Sequence, residues 1–260
     1  MHQPQDPPHA EIRALADIMA RLRDPHDGCP WDVGQDFNSI APYTIEEAYE
    51  VADACARDDM AALKDELGDL LLQVVFHARM AEERGAFDLG DVIASICDKM
   101  IRRHPHVFGP DGSVADWEAI KASERAEKQS DPSALAGIAL ALPALLRAEK
   151  LQKRAARTGF DWPDADGARA KIDEELVELE EAATFDARED ELGDLLFSVV
   201  NWGRKLGLDP EAALRRANAK FEQRFRATER LGGSGFVALS LDEKEALWQA
   251  AKKLQENERA

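Results

Sequence analysis

Three features are scarce in this sequence, and each scarcity excludes a class of protein. The three cysteines, Cys29, Cys55 and Cys97, are too few and too scattered for a disulfide framework or a cysteine-rich zinc site. Only two tyrosines occur, which gives little support to a β-rich fold. No run approaches the roughly 18 apolar residues that span a membrane, and residues 1–10 lack a signal-peptide core. We therefore expect a cytoplasmic protein with reduced thiols.

Basic residues are also in the minority, with 33 Lys and Arg against 51 Asp and Glu and a formal charge of −18. A protein that coats nucleic acid or an anionic membrane needs a basic surface, so neither partner is expected. The charge does not exclude a small phosphorylated substrate, because a local group of cations or a bound metal ion reverses the sign locally.

Helix-forming residues, in contrast, dominate the composition, and helix signals punctuate the chain. Thr44 and Ser240 each precede a glutamate by three residues, which is a capping-box pattern. Asp131 and Asp209 each precede a proline, a pattern typical of a helix start. These signals predict an all-α fold, with helices near 11–23, 44–57, 60–84, 89–103, 114–129, 143–156, 168–184, 187–206, 210–230 and 241–257.

The chain repeats itself, and the repeat organises the rest of the sequence. EEAYE at 46–50 recurs as EELVE at 174–178, and DELGDLLL at 65–72 recurs as DELGDLLF at 190–197. Further elements recur later in the same order: Val74-Val75 with Val199-Val200, Lys99 and Arg103 with Lys220 and Arg224, and Trp117 and Lys121 with Trp248 and Lys252. Five elements in one order indicate a duplicated unit of roughly 110 residues.

The repeat predicts two helical domains of one kind. They are expected at 11–125 and 143–260, joined by a linker at 126–142 and preceded by a disordered lead-in at 1–10.

Acidic residues recur within the duplicated motifs at helical spacing. Positions i and i+3 share one face of a helix, so two antiparallel helices can bring four carboxylates together. Close like charges raise one another's pKa unless a cation lies between them, and all-oxygen ligands suit Mg²⁺ or Mn²⁺. The predicted metal ligands are Glu175, Glu178, Glu191 and Asp194 in the second half, and Glu47, Glu50, Glu66 and Asp69 in the first.

Two other interpretations of these acidic motifs compete with a metal site. A single EExxE motif in so acidic a chain is usually a solvated helix face, but the ExxD elements lie in apolar runs, where unpaired charges are costly. A ferritin-like di-iron site needs Glu-x-x-His elements, and none of the six histidines follows a glutamate by three residues. The pattern therefore favours a site for a hard metal ion.

Candidate contacts for a triphosphate lie around these motifs. Lys171 precedes Glu175 by one helical turn, where a plain ion pair is the competing interpretation. The other candidates supply cations and a flat ring, and they are Lys220, Arg224, Trp248 and Lys252, with Lys99, Arg103, Trp117 and Lys121 in the first half. The first half has Tyr43 in place of Lys171, so the second half is predicted to hold the main catalytic site.

Four glycines carry separate expectations. Gly85 and Gly207 are expected to end helices. Gly68 and Gly193 lie between predicted metal ligands inside helices, where glycine costs about 1 kcal/mol relative to alanine. Their recurrence favours the close approach of a neighbouring helix or a ligand over a tolerated weakness.

Taken together, EExxE and ELGDLL found twice, with CPWD at 29–32 and RRHPHVFG at 102–109, closely resemble the MazG-type nucleoside triphosphate pyrophosphohydrolases. The resemblance covers about residues 11–257. It implies helical bundles, a homodimer, and Mg²⁺ on the helical carboxylates. It also implies house-cleaning hydrolysis of ordinary and damaged nucleoside triphosphates to monophosphate and pyrophosphate, for which Glu174 is our candidate proton acceptor.

Two other functions remained open. One is an enzyme restricted to a single nucleotide, such as an all-α dUTP pyrophosphatase or a phosphoribosyl-ATP pyrophosphohydrolase, against which the duplication argues. The other is a nucleotide-sensing helical protein without turnover, against which the two intact carboxylate sets argue.

Overall fold

The computed structural model describes residues 11–109, 124 and 131–258, and every regular element within them is helical. The predicted all-α fold is confirmed. In chain order the helices are α1 (Ile12–Leu22), α2 (Pro30–Val33), α3 (Phe37–Arg57), α4 (Met60–Glu83), α5 (Leu89–Arg103), α6 (Pro105–Phe108), α7 (Ala144–Ala156), α8 (Ala165–Glu181), α9 (Phe185–Lys205), α10 (Pro210–Gly232), a 3₁₀ helix (Gly233–Ala238) and α11 (Leu241–Glu258). In this part of the chain, no helix combines the length and the apolar character needed to cross a bilayer.

The chain divides into two compact units, Met1–Lys121 and Ala122–Ala260. The predicted helix 114–129 and the predicted lead-in 1–10 lie outside the described residues, as does part of the predicted linker 126–142. The predicted domain limits therefore stay a prediction.

The first unit is built on a hairpin of α3 and α4. The two helices pack along each other, and α1 and α5 pack on α4. Five buried side chains form its core, joined by partly buried Leu15, Ala16, Phe37, Leu72 and Leu89; the five are Met19, Ile40, Val75, Phe76 and Met80. Burial of such side chains stabilises each by about 1.5–3 kcal/mol, so this core fixes α1 against the hairpin.

The second unit repeats the hairpin with α8 and α9. Helix α7 packs on α9, and α10 packs on α11 and on α7. Ala168 and Ile172 of α8 and Val200 of α9 are buried between these helices. The duplicated sequence therefore folds into a duplicated hairpin.

One predicted helix start is wrong, because a stronger cap lies upstream. Helix α3 begins at Phe37, and Asp36 and Ser39 form a reciprocal capping box there. Thr44, the predicted cap, lies inside the helix, where its hydroxyl hydrogen-bonds to Nε2 of His77 at 3.0 Å. Pro42 also lies inside α3, five residues after its first residue.

Two other predicted starts are confirmed and one is wrong. Glu243 accepts hydrogen bonds from the backbone and hydroxyl of Ser240, both at 2.8 Å. Asp209 caps α10 by accepting from the Ala212 amide at 2.9 Å. Asp131 instead accepts from the Ser133 amide at 2.9 Å and starts a turn, without an α-helix over residues 131–143.

The glycines divide into two kinds. Gly85 and Gly207 follow helix ends with φ of 65° and 72°, as predicted for helix stops. At Gly68 and Gly193 an added Cβ would meet no atom of the described residues within 4 Å. The expected close approach of a neighbouring helix is therefore wrong among these residues, whereas the approach of a ligand stays a prediction.

This difference predicts opposite effects of one substitution. Gly68→Ala should raise the free energy of unfolding by about 1 kcal/mol, because alanine is the better helix former and its Cβ is unobstructed. Gly85→Ala should lower it by about 1 kcal/mol, because alanine resists positive φ. Urea unfolding followed by circular dichroism measures both. A loss of stability in Gly68→Ala would show that something packs against that helix face.

Candidate active site

Three carboxylates of the second unit meet at the α8–α9 hairpin. Helix α8 ends at Glu181, and α9 begins at Phe185 after the Thr184 cap. Only a short connection therefore separates the two helices. This antiparallel arrangement faces Glu175 and Glu178 of α8 toward Glu191 of α9. One carboxylate oxygen from each of the three lies within 4.8 Å of the others.

The carboxylates of this cluster repel one another. Glu175 is 3% exposed, so its carboxylate has little water around it. The pKa of Glu178 is raised, first by desolvation and further by the Glu175 and Glu191 carboxylates, while Lys171 acts in the opposite direction. Hard divalent cations favour such all-oxygen groups, and a cation there would relieve the repulsion. The donor set therefore fits a divalent metal ion.

Lys171 forms an ion pair with one member of the cluster. Its Nζ lies 2.8 Å from a carboxylate oxygen of Glu174 and 2.8 Å from one of Glu175. These hydrogen bonds, with that to Glu174 the stronger influence, raise the pKa of Lys171 well above its usual value. The ion pair with Glu175 that competed with a phosphate contact is thus present, and it holds the ammonium group beside the acidic cluster.

A cavity of about 750 Å³ adjoins the cluster within the second unit. Three predicted site residues line it: Lys171, Glu175 and Asp194. Asp194 is thus placed at the cavity rather than in the group of three. The remaining wall includes aromatic, carboxamide and hydroxyl side chains, among them Gln152, Phe160, Trp162, Phe197, Ser198 and Asn201.

The first unit contains a second acidic cluster at the corresponding place. One carboxylate oxygen each of Glu47, Glu66 and Asp69 lies within 4.8 Å of the others. The Glu50 carboxylate lies near both Glu47 and Glu66 and adds to the repulsion within the cluster. Desolvation first, and these neighbouring carboxylates next, raise the pKa values of Glu47 and Glu66. At the position of Lys171 the Tyr43 ring packs edge-on against Trp31, with 6.1 Å between centroids.

The other predicted nucleotide contacts lie elsewhere. Four are on α10 and α11, and none lines the cavity: Lys220, Arg224, Trp248 and Lys252. Arg224 donates to Oε1 of Gln255 at 3.0 Å, and the Trp248 ring lies 5.3 Å from that of Phe221. In the first half, Lys99 and Arg103 are on α5, whereas Trp117 and Lys121 lie outside the described residues.

Sequence reasoning missed the loop that closes one wall of the cavity. Asp161 forms ion pairs with Arg204 and Lys205 of α9, which fixes residues 159–163 to the hairpin. Trp162 lies over Gly167 of α8, where an added Cβ would be 2.8 Å from the ring. The available signal was a second Gly-x-x-Trp, since Gly159 and Trp162 repeat the spacing of Gly28 and Trp31.

Known proteins are similar to this chain in sequence. The MazG nucleotide pyrophosphohydrolase domain matches residues 35–108, which include α3, α4 and the first acidic cluster. The chain is 50% identical over 257 residues to the nucleoside triphosphate pyrophosphohydrolase of Escherichia coli K12, with 94% of this chain and 97% of that protein covered. The chain belongs to the MazG family.

Other relatives extend the MazG similarity. The nucleoside triphosphate pyrophosphohydrolase/pyrophosphatase MazG of Thermotoga maritima is 47% identical, with 92% of this chain and 94% of that protein covered. The uncharacterised protein YabN of Bacillus subtilis is 39% identical over 93% of this chain, which spans 52% of that protein. Both alignments include the two hairpins, since each covers more than nine-tenths of the chain.

The Asp161 ion pairs predict a pH-dependent contribution to stability. Hydrogen bonds from Arg204, and next from Lys205, hold the pKa of Asp161 below 3.8 despite partial desolvation. Asp161→Asn should therefore lower the free energy of unfolding by about 1–3 kcal/mol at neutral pH. A carboxylate with a lowered folded pKa stabilises above its unfolded pKa, so the difference should shrink as pH falls below about 4.

Urea unfolding between pH 3 and 7 measures this difference. Asp173→Asn is the matched control, because its ion pair with Arg169 is exposed and such pairs contribute about 0–1 kcal/mol. An Asp161→Asn variant as stable as the wild type at pH 7 would contradict the role of Asp161 in holding the loop.

Proposed function

We propose that this protein catalyses the Mg²⁺-dependent hydrolysis of nucleoside triphosphates to nucleoside monophosphate and pyrophosphate. The substrates would include ordinary and damaged ribo- and deoxyribonucleotides, as part of nucleotide-pool house-cleaning in the cytoplasm. One observation carries the proposal: a metal-compatible carboxylate cluster with a paired lysine borders a cavity of about 750 Å³. Membership of the MazG family supports it.

The metal would be held by the hairpin carboxylates. Glu175, Glu178 and Glu191 are the closest group, and Asp194 is the proposed fourth ligand. Glu47, Glu50, Glu66 and Asp69 would form the corresponding site of the first unit, and Mn²⁺ is a suitable substitute because it prefers the same oxygen ligands. When bound, the ion supplies positive charge against the phosphates and lowers the pKa of a coordinated water.

The side chains around the cluster would divide the remaining work. Water adds to the α-phosphorus, the bond to the α–β bridging oxygen breaks, and pyrophosphate leaves. Glu174 is the proposed acceptor of the water's proton, and its ion pair with Lys171 fixes its position. The Lys171 ammonium would offset the negative charge that accumulates on the phosphate oxygens.

The cations and the ring on α10 and α11 are proposed as outer nucleotide contacts. Because Lys220, Arg224, Trp248 and Lys252 do not line the cavity, they would contact parts of the nucleotide that extend beyond it. Lys99, Arg103, Trp117 and Lys121 are the corresponding proposals for the first half. Tyr43 supplies no cation there, so we propose the second unit as the main catalytic site.

We also propose a homodimer, with neither nucleic acid nor membrane as a partner. Each hairpin exposes an apolar stripe at the spacing i, i+4, i+7 along its second helix: Leu67, Leu71 and Val74 in α4, and Leu192, Leu196 and Val199 in α9. All six side chains are at least 38% exposed. Apolar rows of this kind mark helix surfaces that bury against another helix, and a second copy of the chain supplies the same rows.

The reaction is tested by product analysis with Glu178→Gln as the variant. A panel of nucleoside triphosphates is incubated with and without Mg²⁺, and products are separated by anion exchange. Wild type should release monophosphate and pyrophosphate only with the metal. Glu178→Gln should lose at least about 100-fold in rate, because it removes one charge from the metal-binding group. Helical circular dichroism should remain unchanged.

The matched control is Glu181→Gln, which makes the same charge change at the last residue of α8, outside the group of three carboxylates, and should keep full activity. Diphosphate and phosphate as products would contradict the proposed cleavage point. Activity on one nucleotide alone would favour a restricted enzyme, and binding without turnover would favour a sensing protein.

The dimer is tested by light scattering after size exclusion. Wild type should have twice the 28.8 kDa chain mass. Leu196→Arg should halve that mass, because burying an unpaired guanidinium in an apolar contact is costly. Leu208→Arg, on an exposed loop residue outside the stripe, should leave the mass unchanged. A monomeric wild type would refute the dimer.

A further inference from the structure

The cavity of the second unit contains a buried hydrogen-bond acceptor without a partner. Gln152 of α7 is 7% exposed, and its Nε2 donates to the Phe197 carbonyl oxygen at 2.8 Å. Its Oε1 is buried and has no hydrogen-bond partner among the described residues. Buried polar atoms nearly always have a partner, so an unpaired acceptor on a cavity wall indicates a ligand that donates a hydrogen bond there.

A second carboxamide side chain, that of Asn201, also lines the cavity. The Oδ1 of Asn201 accepts hydrogen bonds from Nε of Arg204 at 3.0 Å and from Nη2 at 2.7 Å. Asp161 holds Arg204 in turn, so the orientation of the carboxamide is fixed by this network. The Nδ2 donor of Asn201 is therefore not the atom that contacts Arg204, and Asn201 lines the same cavity as Gln152.

The first unit provides a comparison for these two positions. The duplicated DELGDLL segments align without a gap through the following valine pair, which places Phe76 opposite Asn201. One backbone hydrogen bond is also repeated, from Cys29 to Leu22 at 2.8 Å and from Phe160 to Ala155 at 3.2 Å.

The two acceptors, Leu22 and Ala155, thus correspond to each other. Three residues before them lie Met19 and Gln152, which therefore also correspond. Met19 and Phe76 are 1% and 3% exposed, and both belong to the hydrophobic core of the first unit. The first unit therefore folds with apolar side chains at both positions. The second unit carries carboxamides at both positions, and both line its cavity.

We propose that this cavity is the base-binding subsite of the second unit, where Gln152 accepts and Asn201 donates hydrogen bonds to a nucleobase edge. Every nucleobase offers donors and acceptors along its edges, and Phe160 and Trp162 on the same wall provide aromatic surface. Lys171 and Glu175 line the cavity as well, so a base bound there directs its phosphates to the acidic cluster. The inference rests on the proposed function and deepens it.

The subsite is tested by exchanging each carboxamide for an apolar side chain of similar size. Gln152→Met and Asn201→Leu are compared with wild type on nucleoside triphosphates and on methyl triphosphate, which has no base. Each variant should raise KM for nucleotides roughly 10-fold or more with little change in kcat, since a site built for hydrogen bonds rejects a mismatch strongly. Hydrolysis of methyl triphosphate should be unchanged.

Gln73→Met is the matched control, because Gln73 is also buried with an unpaired Oε1 but lies in the first unit. Its kinetics should equal those of wild type. Calorimetric titration with nucleoside monophosphates gives a reading independent of turnover, and both cavity variants should weaken that binding by a similar factor. If one cavity variant fails to fold, the other carries the same test.

Three outcomes would overturn the subsite. The wild type could hydrolyse methyl triphosphate as efficiently as nucleotides, or the cavity variants could lose equal activity on both substrates. The variants could also bind nucleoside monophosphates as tightly as the wild type does. A wild type that hydrolyses no triphosphate would refute the proposed function, while the titration would still decide whether Gln152 and Asn201 bind a base.

Discussion

Repulsion among carboxylates held on one helical hairpin is the constraint on which the site depends. Glu178 and Glu191 share a small space with buried Glu175, and within the described residues Lys171 is the cation that pairs with this group. Isolated like charges at such distances would move apart or take up protons. They stay together because the capped helices α8 and α9 are fixed by packing that is independent of the charges.

The two units solve the same folding problem with different consequences. In the first, α1 closes on the hairpin through Met19 and Phe76, and the space between the helices is hydrophobic core. In the second, Gln152 and Asn201 occupy the corresponding positions, and a cavity lies between the helices. The first unit also has Tyr43 where the second has Lys171. Duplication preserved the acidic cluster in both units, whereas the residues around it diverged.

Two predicted helix starts failed because local signals compete, and the expectation for two glycines failed because it depended on tertiary packing. Thr44 has the spacing of a cap, but Asp36 and Ser39 form a better one upstream, and Thr44 instead contacts His77 of α4. Asp131-Pro132 has the pattern of a helix start, yet the segment after it forms a turn. Gly68 and Gly193 were expected to admit a neighbouring helix or a ligand, and among the described residues no helix comes within 4 Å of a Cβ placed there.

The sequence by itself determined the helical class, the duplication and the helix face that each carboxylate occupies, because periodicity and helix propensity are local properties. Tertiary structure alone decided which groups meet. It brought Glu175, Glu178 and Glu191 within 4.8 Å, placed Asp194 on the cavity wall instead, and tied Asp161 to Arg204 across 43 residues of chain. Among the described residues, it also left one buried Gln152 oxygen without a hydrogen-bond partner. Such relations depend on how helices distant in sequence pack, and no local pattern encodes that packing.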